Sequence, residues 1–131
     1  MGNSEIISCE INLGGMVLKL EKKIERLTLL LRLDGELDMH TASVVRQAID
    51  LEIEKRGIRT VILNLQDVQF VDSSGLGVII GRYKKLLPLG GKLKITNVPP
   101  HILKIMELSG LPKIISFYVD EAHAYEEGRG A

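Results

Sequence analysis

Apolar residues change their period several times along this chain, and that alternation constrains the fold more than any other feature. After the charged run EKKIER, Leu27, Leu29, Leu31 and Leu33 recur at every second position between Thr28, Arg32 and Asp34, the period of a half-buried strand. Over 41–56 the period becomes helical through Ala42, Val45, Ala48, Ile49 and Ile53, and Gly57 follows where helices turn off. TVILNL at 60–65 is short, β-branched and apolar, suited to a strand covered on both faces. Leu76, Ile79, Ile80, Tyr83 and Leu87 then mark a helix ended by Pro88 and Gly90-Gly91, and 92–98 alternates again as a strand. Pro99-Pro100 opens a helix through Ile102, Ile105 and Met106 that closes at Ser109-Gly110, 114–118 is a short last strand, and Asp120 caps a final acidic helix. With an edge strand at 16–20, the pattern predicts one α/β domain: a mostly parallel mixed sheet of four to five strands with helices packed against it. Residues 1–15, MGNSEIISCEINLGG, show weak periodicity and end in Gly14-Gly15, so they read as a flexible N-terminal extension ahead of a domain over 16–131.

Composition narrows the function. At 131 residues, 45% of them hydrophobic, the chain has room for one core. A single cysteine, Cys9, fits a reducing cytosol, and His40, His101 and His123 have no zinc-ligand spacing, so neither disulfide nor metal is expected. Seventeen basic residues balance seventeen acidic ones and aromatics are only 4%, which removes both the charge footprint and the stacking platforms of a nucleic-acid binder. No apolar run approaches the roughly 18 residues of a membrane span, and the N-terminus lacks the order of a signal peptide. Gly2 fails the myristoylation pattern because Ile6 stands where Ser or Thr is needed. A cytoplasmic protein is expected.

The segment Val71-Asp72-Ser73-Ser74-Gly75-Leu76-Gly77 stands out because a strand hands over to a helix there. A helix N-terminus carries unsatisfied amides and positive potential, so a phosphate on Ser73 would be accommodated; equally, Asp72 or Ser73 caps the helix, as Asp and Ser commonly do. Gly75, Gly77 and Gly81 each cost about 1 kcal/mol against Ala inside a helix, so tight packing or a close partner must offset them. Gly77 and Gly81, four apart, favour packing, and Gly75 at the very start favours access. Enzyme motifs fail on the same stretch. A nucleophile elbow lacks its first glycine, no Gly-Lys-Ser/Thr triplet exists for a P-loop, and Ile80 occupies the third glycine of a dinucleotide fingerprint. The loop GELDMH at 35–40 also joins a strand to a helix, so Asp38 and Ser73 can share one sheet edge, with helix capping the alternative role for Asp38. Arg82, Lys84 and Lys85 read as the solvated face of their helix.

GELDMHTA at 35–42, VILNLQDVQFVDSSGLGVIIGRYK at 61–84 and MELSGLPKII at 106–115 together resemble the STAS domain of bacterial anti-anti-sigma factors, those of sporulation in particular, over about residues 16–128. The resemblance implies a regulatory protein and not an enzyme, without cofactor. Its partner would be an anti-sigma factor that is also an ATP-dependent serine kinase, bound so that a sigma factor is released. Ser73 would be phosphorylated to end the binding, and a PP2C-type phosphatase would reverse it. The resemblance places Asp38, Asp72, Ser74, Gly75, Leu76 and Gly77 at the partner-binding surface. Met39 stands where close relatives usually carry His. The alternative reading is a small-ligand or nucleotide-binding module using the same helix N-terminus.

Overall fold

The computed structural model describes residues 4–126. The alternating leucines lie at the centre of a six-stranded sheet whose strands stand side by side in chain order: β1 (Ser4–Leu13), β2 (Met16–Glu25), β3 (Thr28–Leu37), β4 (Thr60–Val71), β5 (Lys92–Thr96) and β6 (Ser116–Tyr118). β1, β2 and β3 are antiparallel neighbours, whereas β3 to β6 run parallel. Parallel neighbours need crossovers, which α1 (Ala42–Arg56), α2 (Ser73–Leu86) and α3 (Pro100–Leu108) supply, and α4 (Glu121–Glu126) follows the last strand.

Strand parity divides the core. Leu29, Leu31 and Leu33 of β3 and Val61, Leu63 and Leu65 of β4 join Val45 and Ile49 of α1, Ile79 and Leu86 of α2, and Ile102 and Met106 of α3 in one buried cluster. Leu30 and Ile62, of opposite parity, meet Ala124 of α4 between Tyr118 and Tyr125. Three helices therefore cover one face and α4 part of the other, which is why residues 61–63 of β4 are apolar without a break, and the buried Asn64 that follows is bonded to Glu121 of α4. Each such leucine or isoleucine contributes about 1.5–3 kcal/mol on burial. Lys22 also points into the inner row of β2, where its Nζ lies 2.8 Å from Glu52 Oε2, and the other Glu52 oxygen takes Arg56 Nε at 2.9 Å. A charge is tolerated at such a place only when paired.

The sheet has six strands where four to five were expected, and the extra one comes from the supposed flexible arm. Residues 4–13 form β1, paired with β2 at ten successive positions, and Gly14-Gly15 is a two-residue hairpin turn with φ of 57° and 91°. Positive φ at both central residues matches the twist of a hairpin and favours glycine. The strand has no apolar period to read because it is an edge strand, largely exposed on both faces; only its end, near Ile11, reaches the core. Residues 1–3 and 127–131, which complete the expected arm and domain, lie outside the described residues.

Other strands also run further than their periods suggest. β2 continues through EKKIE because Lys22 is paired inside, and β3 passes Asp34-Gly35 with register shifts against β4 that absorb the irregularity. Gly35 adopts φ of 134°, and a Cβ there would stand 3.0 Å from the carbonyl oxygen of Val17. β5 stops at Thr96, before Asn97 turns left-handed, and a 3-10 turn at Leu111–Lys113 shortens the last strand. Most important for function, Leu37 and Val71 pair where β3 and β4 end, so the 38–41 loop and the head of α2 emerge on one sheet edge.

Candidate functional site

Asp72 organises this edge. Its backbone is extended, and its Oδ1 accepts hydrogen bonds from the N–H groups of Ser74 at 2.8 Å and Gly75 at 3.1 Å, the cap that starts α2. Its Oδ2 accepts from the Met39 N–H at 3.2 Å, and its own N–H donates to the Leu37 carbonyl at 3.3 Å. One carboxylate thus caps a helix and ties it to the neighbouring loop. The capping reading of Asp72 holds, extended by a contact 33 residues away in sequence.

Asp38 is buried, and the same logic operates at the head of α1. Its Oδ1 accepts from the N–H groups of His40 at 2.9 Å and Thr41 at 3.2 Å, while the Thr41 hydroxyl donates to the Glu36 carbonyl at 2.7 Å. The Asp38 carbonyl accepts from Ala42 N–H at 2.8 Å. Burial works to raise the Asp38 carboxyl, but the His40 N–H, the Glu36 side chain and the Thr41 N–H outweigh it and hold the group below its ordinary value. Glu36, hydrogen-bonded to Asp38, is raised. Asp38 therefore shapes the loop from within, and Met39 and His40 are what the loop exposes.

Ser73 occupies the first position of α2 and is exposed. The two amides that an anion at this terminus would seek are already taken by Asp72, so a phosphate on Ser73 would stand in solvent beside a carboxylate. Ser74 and Leu76 are half-buried, and Leu76 packs against the main core. The glycines reverse the expected roles. A Cβ on Gly75 would lie 2.2 Å from the Leu37 carbonyl oxygen, so Gly75 serves close packing, whereas Gly77 and Gly81 have nothing within 4 Å of theirs. Gly77 is one turn beyond Ser73 and shares its exposed face, leaving helix backbone bare next to the serine.

Arg82 and Lys85, expected to be solvated, hold α2 to α1: Arg82 Nε lies 3.0 Å from Asp50, and Lys85 Nζ is 3.5 Å from Asp50 and 2.7 Å from Glu54. Sequence reasoning noted Met39 only as a departure from close relatives and missed the exposed apolar Phe70 and Val17; no period of two marks Phe70, because after Leu65 the inward residues of β4 are Val68 and Val71, three apart. Two open cavities of about 470 and 460 Å³ lie along the other face of the sheet and share Arg32, Leu33 and Asp67. Arg32 is already forked onto Glu121 and bonded to Glu21 there. Among the described residues, no group of three or more His, Cys, Asp or Glu stands together so as to hold a metal, and no helix is long and apolar enough to cross a membrane.

Residues 19–124 match the STAS domain family. The anti-sigma F factor antagonist of Paenibacillus polymyxa is 42% identical over 112 residues, which is 86% of this chain and 96% of that protein. The anti-sigma-B factor antagonist of Bacillus subtilis is 35% identical over 81 residues, 62% of this chain and 72% of that one. In three dimensions the chain is similar to the anti-sigma factor antagonist SpoIIAA in its unphosphorylated form, with TM-score 0.68 and 29% identity over 87% of this chain and 99% of the other. SpoIIAA of Bacillus in its phosphorylated form gives TM-score 0.68 and 31% identity over 84% and 99%.

Proposed function

This chain belongs to the STAS-domain family, and from that premise we propose that it is an anti-sigma factor antagonist: a regulatory binding protein, not an enzyme, that engages an anti-sigma factor through the sheet edge around Ser73 and is switched off when Ser73 is phosphorylated. In this reading the anti-sigma factor is itself an ATP-dependent serine kinase, a PP2C-type phosphatase restores the active form, and the exchange takes place in the cytoplasm, where the freed sigma factor meets RNA polymerase. The observation that carries it is the placing of Ser73, exposed at the head of α2 beside a carboxylate whose acceptor positions are committed to three backbone amides. The same edge offers Ser74, Leu76 and Gly77 along the first turns of the helix, with Gly75, expected at the partner surface, packed beneath them against Leu37, and Asp72 and Asp38 holding the loop geometry. SpoIIAA, of the same fold, exists in both phosphorylation states.

The physics of the switch is local. Phosphate adds about −1.5 to −2 charges at pH 7. In the free protein water screens that charge from Asp72, so the fold is undisturbed. On docking, water leaves, and two unit charges about 4 Å apart at an effective dielectric near 20 repel by about 4 kcal/mol, before the desolvation of the phosphate itself. Each 1.4 kcal/mol is about tenfold in affinity, so binding falls by roughly a thousandfold without refolding.

The test is to incubate the protein with its anti-sigma factor kinase and ATP and to map the phosphate. Modification at Ser73, absence of it in Ser73→Ala, and weak binding by Ser73→Asp are expected. Phosphate on Ser74, which points about 100° around the helix from Ser73, would refute the assignment. The alternative, a module that binds a small ligand or nucleotide at the same helix N-terminus, meets Ser74 and Gly75 amides already bonded to Asp72; saturable nucleotide binding by the isolated protein would support it.

A further inference from the structure

β1 and the first residues of β2 precede the family match, and the hairpin turn between them lies at the functional edge. Leu37 pairs with Val71 and Glu36 with Phe70 between β3 and β4. Between β2 and β3 the register Lys19 to Asp34, continued two and three residues, brings Val17 level with Glu36 and Met16 level with Leu37. Asn12 pairs with Val17 and Leu13 with Met16 between β1 and β2. Two parallel rows therefore cross four strands at this edge: Leu13, Met16, Leu37 and Val71 on the helix-covered side, and Asn12, Val17, Glu36 and Phe70 on the other. The outer row is exposed and apolar on both sides of the half-buried Glu36, with Val17 at 43% and Phe70 at 47%, and Met39 at 71% follows from the end of β3. Scattered exposed apolar side chains are ordinary; three of them flanking one carboxylate, next to the serine at the head of α2, form a surface.

We propose that the docking surface for the anti-sigma factor continues from Ser73 across Met39 and Phe70 to Val17 and the Gly14-Gly15 turn, so that the β1–β2 hairpin supplies part of the footprint. The inference rests on the proposed function and names the reach of that same interface. Size supports this occupant. Strands about 4.8 Å apart put β1 roughly 14 Å from β4. A standard protein interface of about 800 Å² per partner has a radius of about 16 Å, so a partner centred near Ser73 and Asp38 covers the hairpin turn. Met and Phe belong to the residue types enriched at the centres of such interfaces, and the two turn glycines leave backbone open to contact, with nothing within 4 Å of either Cβ position. The complementary patch on the anti-sigma factor is accordingly apolar, with hydrogen-bond donors facing Glu36.

Calorimetric titration of the full chain with the purified anti-sigma factor kinase of the same organism tests this, using Val17→Glu, the milder Val17→Ser, Phe70→Ser and Ser73→Asp, each checked by thermal melting. At least tenfold weaker binding by Val17→Glu and Phe70→Ser, with melting unchanged, is expected. Binding within twofold of the parent by the Val17 and Phe70 variants, alongside loss in Ser73→Asp, overturns the extended surface and leaves the phosphoswitch standing. Loss in the Val17 and Phe70 variants with full binding by Ser73→Asp supports the extended surface and counts against the phosphoswitch. A parent dimer that dissociates on Val17→Glu while the kinase still binds assigns this face to a second copy of the chain and overturns the proposal as well.

Discussion

Gly75→Ala is the most direct probe of how α2 sits on β3. A Cβ at this position would lie 2.2 Å from the Leu37 carbonyl oxygen and 2.8 Å from the Leu37 Cγ. Carbon and carbonyl oxygen approach comfortably to about 3.3 Å, so the head of α2 must retreat by roughly 1 Å. The obstacle is backbone and cannot rotate away. Retreat also stretches the bond from Asp72 N–H to the Leu37 carbonyl and the tether from Asp72 to Met39, each worth about 0.5–1.5 kcal/mol. Overpacking adds about 1–3 kcal/mol, and the better helix propensity of alanine returns about 1. The net loss is about 1–5 kcal/mol, which for a domain between the usual size classes lowers the melting temperature by roughly 3–25 °C. Gly77→Ala is the control: its Cβ meets nothing within 4 Å, so it gains about 0.5–1 kcal/mol. Urea unfolding of both variants at 25 °C reads the difference directly. If Gly75→Ala is as stable as Gly77→Ala, the close approach of helix and strand is wrong, and with it the account of why glycine stands there.

Three further outcomes follow from the same geometry. Asp72→Ala leaves three amides without their acceptor and costs about 1–3 kcal/mol, with hydrogen exchange accelerated at Met39, Ser74 and Gly75; Asp72→Asn, which keeps an acceptor oxygen, costs less. Removal of residues 1–15 uncovers the edge of β2 and deletes the Ile11 packing and the Glu5 pair with Arg56, so the urea midpoint falls by an amount equivalent to about 1–2 kcal/mol; an unchanged midpoint would show that β1 adds nothing to the domain. The hydrogen bond and charge of Asp120 raise the His123 pKa, so His123 titrates above 6.5 by NMR and returns toward it in Asp120→Asn. A raised histidine stabilises when protonated: its contribution to α4 is present below pH 6.5 and is lost as pH rises through the His123 value.

Helices and central strands are legible in the chain because burial imposes a period on them: Leu29, Leu31 and Leu33 at two, and Val45, Ile49 and Ile53 at helical spacing. β1 is not legible for the converse reason. Its stability lies in backbone pairing with β2, which leaves almost no mark on side-chain type, and only the glycine pair at its end shows where it turns. Lys22 hides the middle of β2 in the same way, since its partner Glu52 is thirty positions off on α1. The strand-to-helix junction at Ser73 and the common edge with the GELD loop follow from topology and were readable. What was not readable is which groups at the junction face inward. Gly75 at the start of a helix suggests access, yet the neighbouring strand end at Leu37 fills that space; Asp38 in a polar loop suggests a surface group, yet two amides and Glu36 enclose it.

Gly75 and Asp72 together bear on how one exposed serine could act as the proposed switch. Gly75 lets α2 seat directly on the end of β3, and Asp72 ties the 38–41 loop to the helix, so the edge is braced on both sides of Ser73. Rigidity on both sides of the serine means that the free energy of an added phosphate has no conformational outlet within the domain. It is expressed where water is removed, at the interface, and there it opposes docking in full. A looser junction would let the helix head rotate the phosphate away from the partner and blunt the response. The close packing of Gly75 and the triple acceptor role of Asp72 are thus requirements of the proposed switch as much as of the fold.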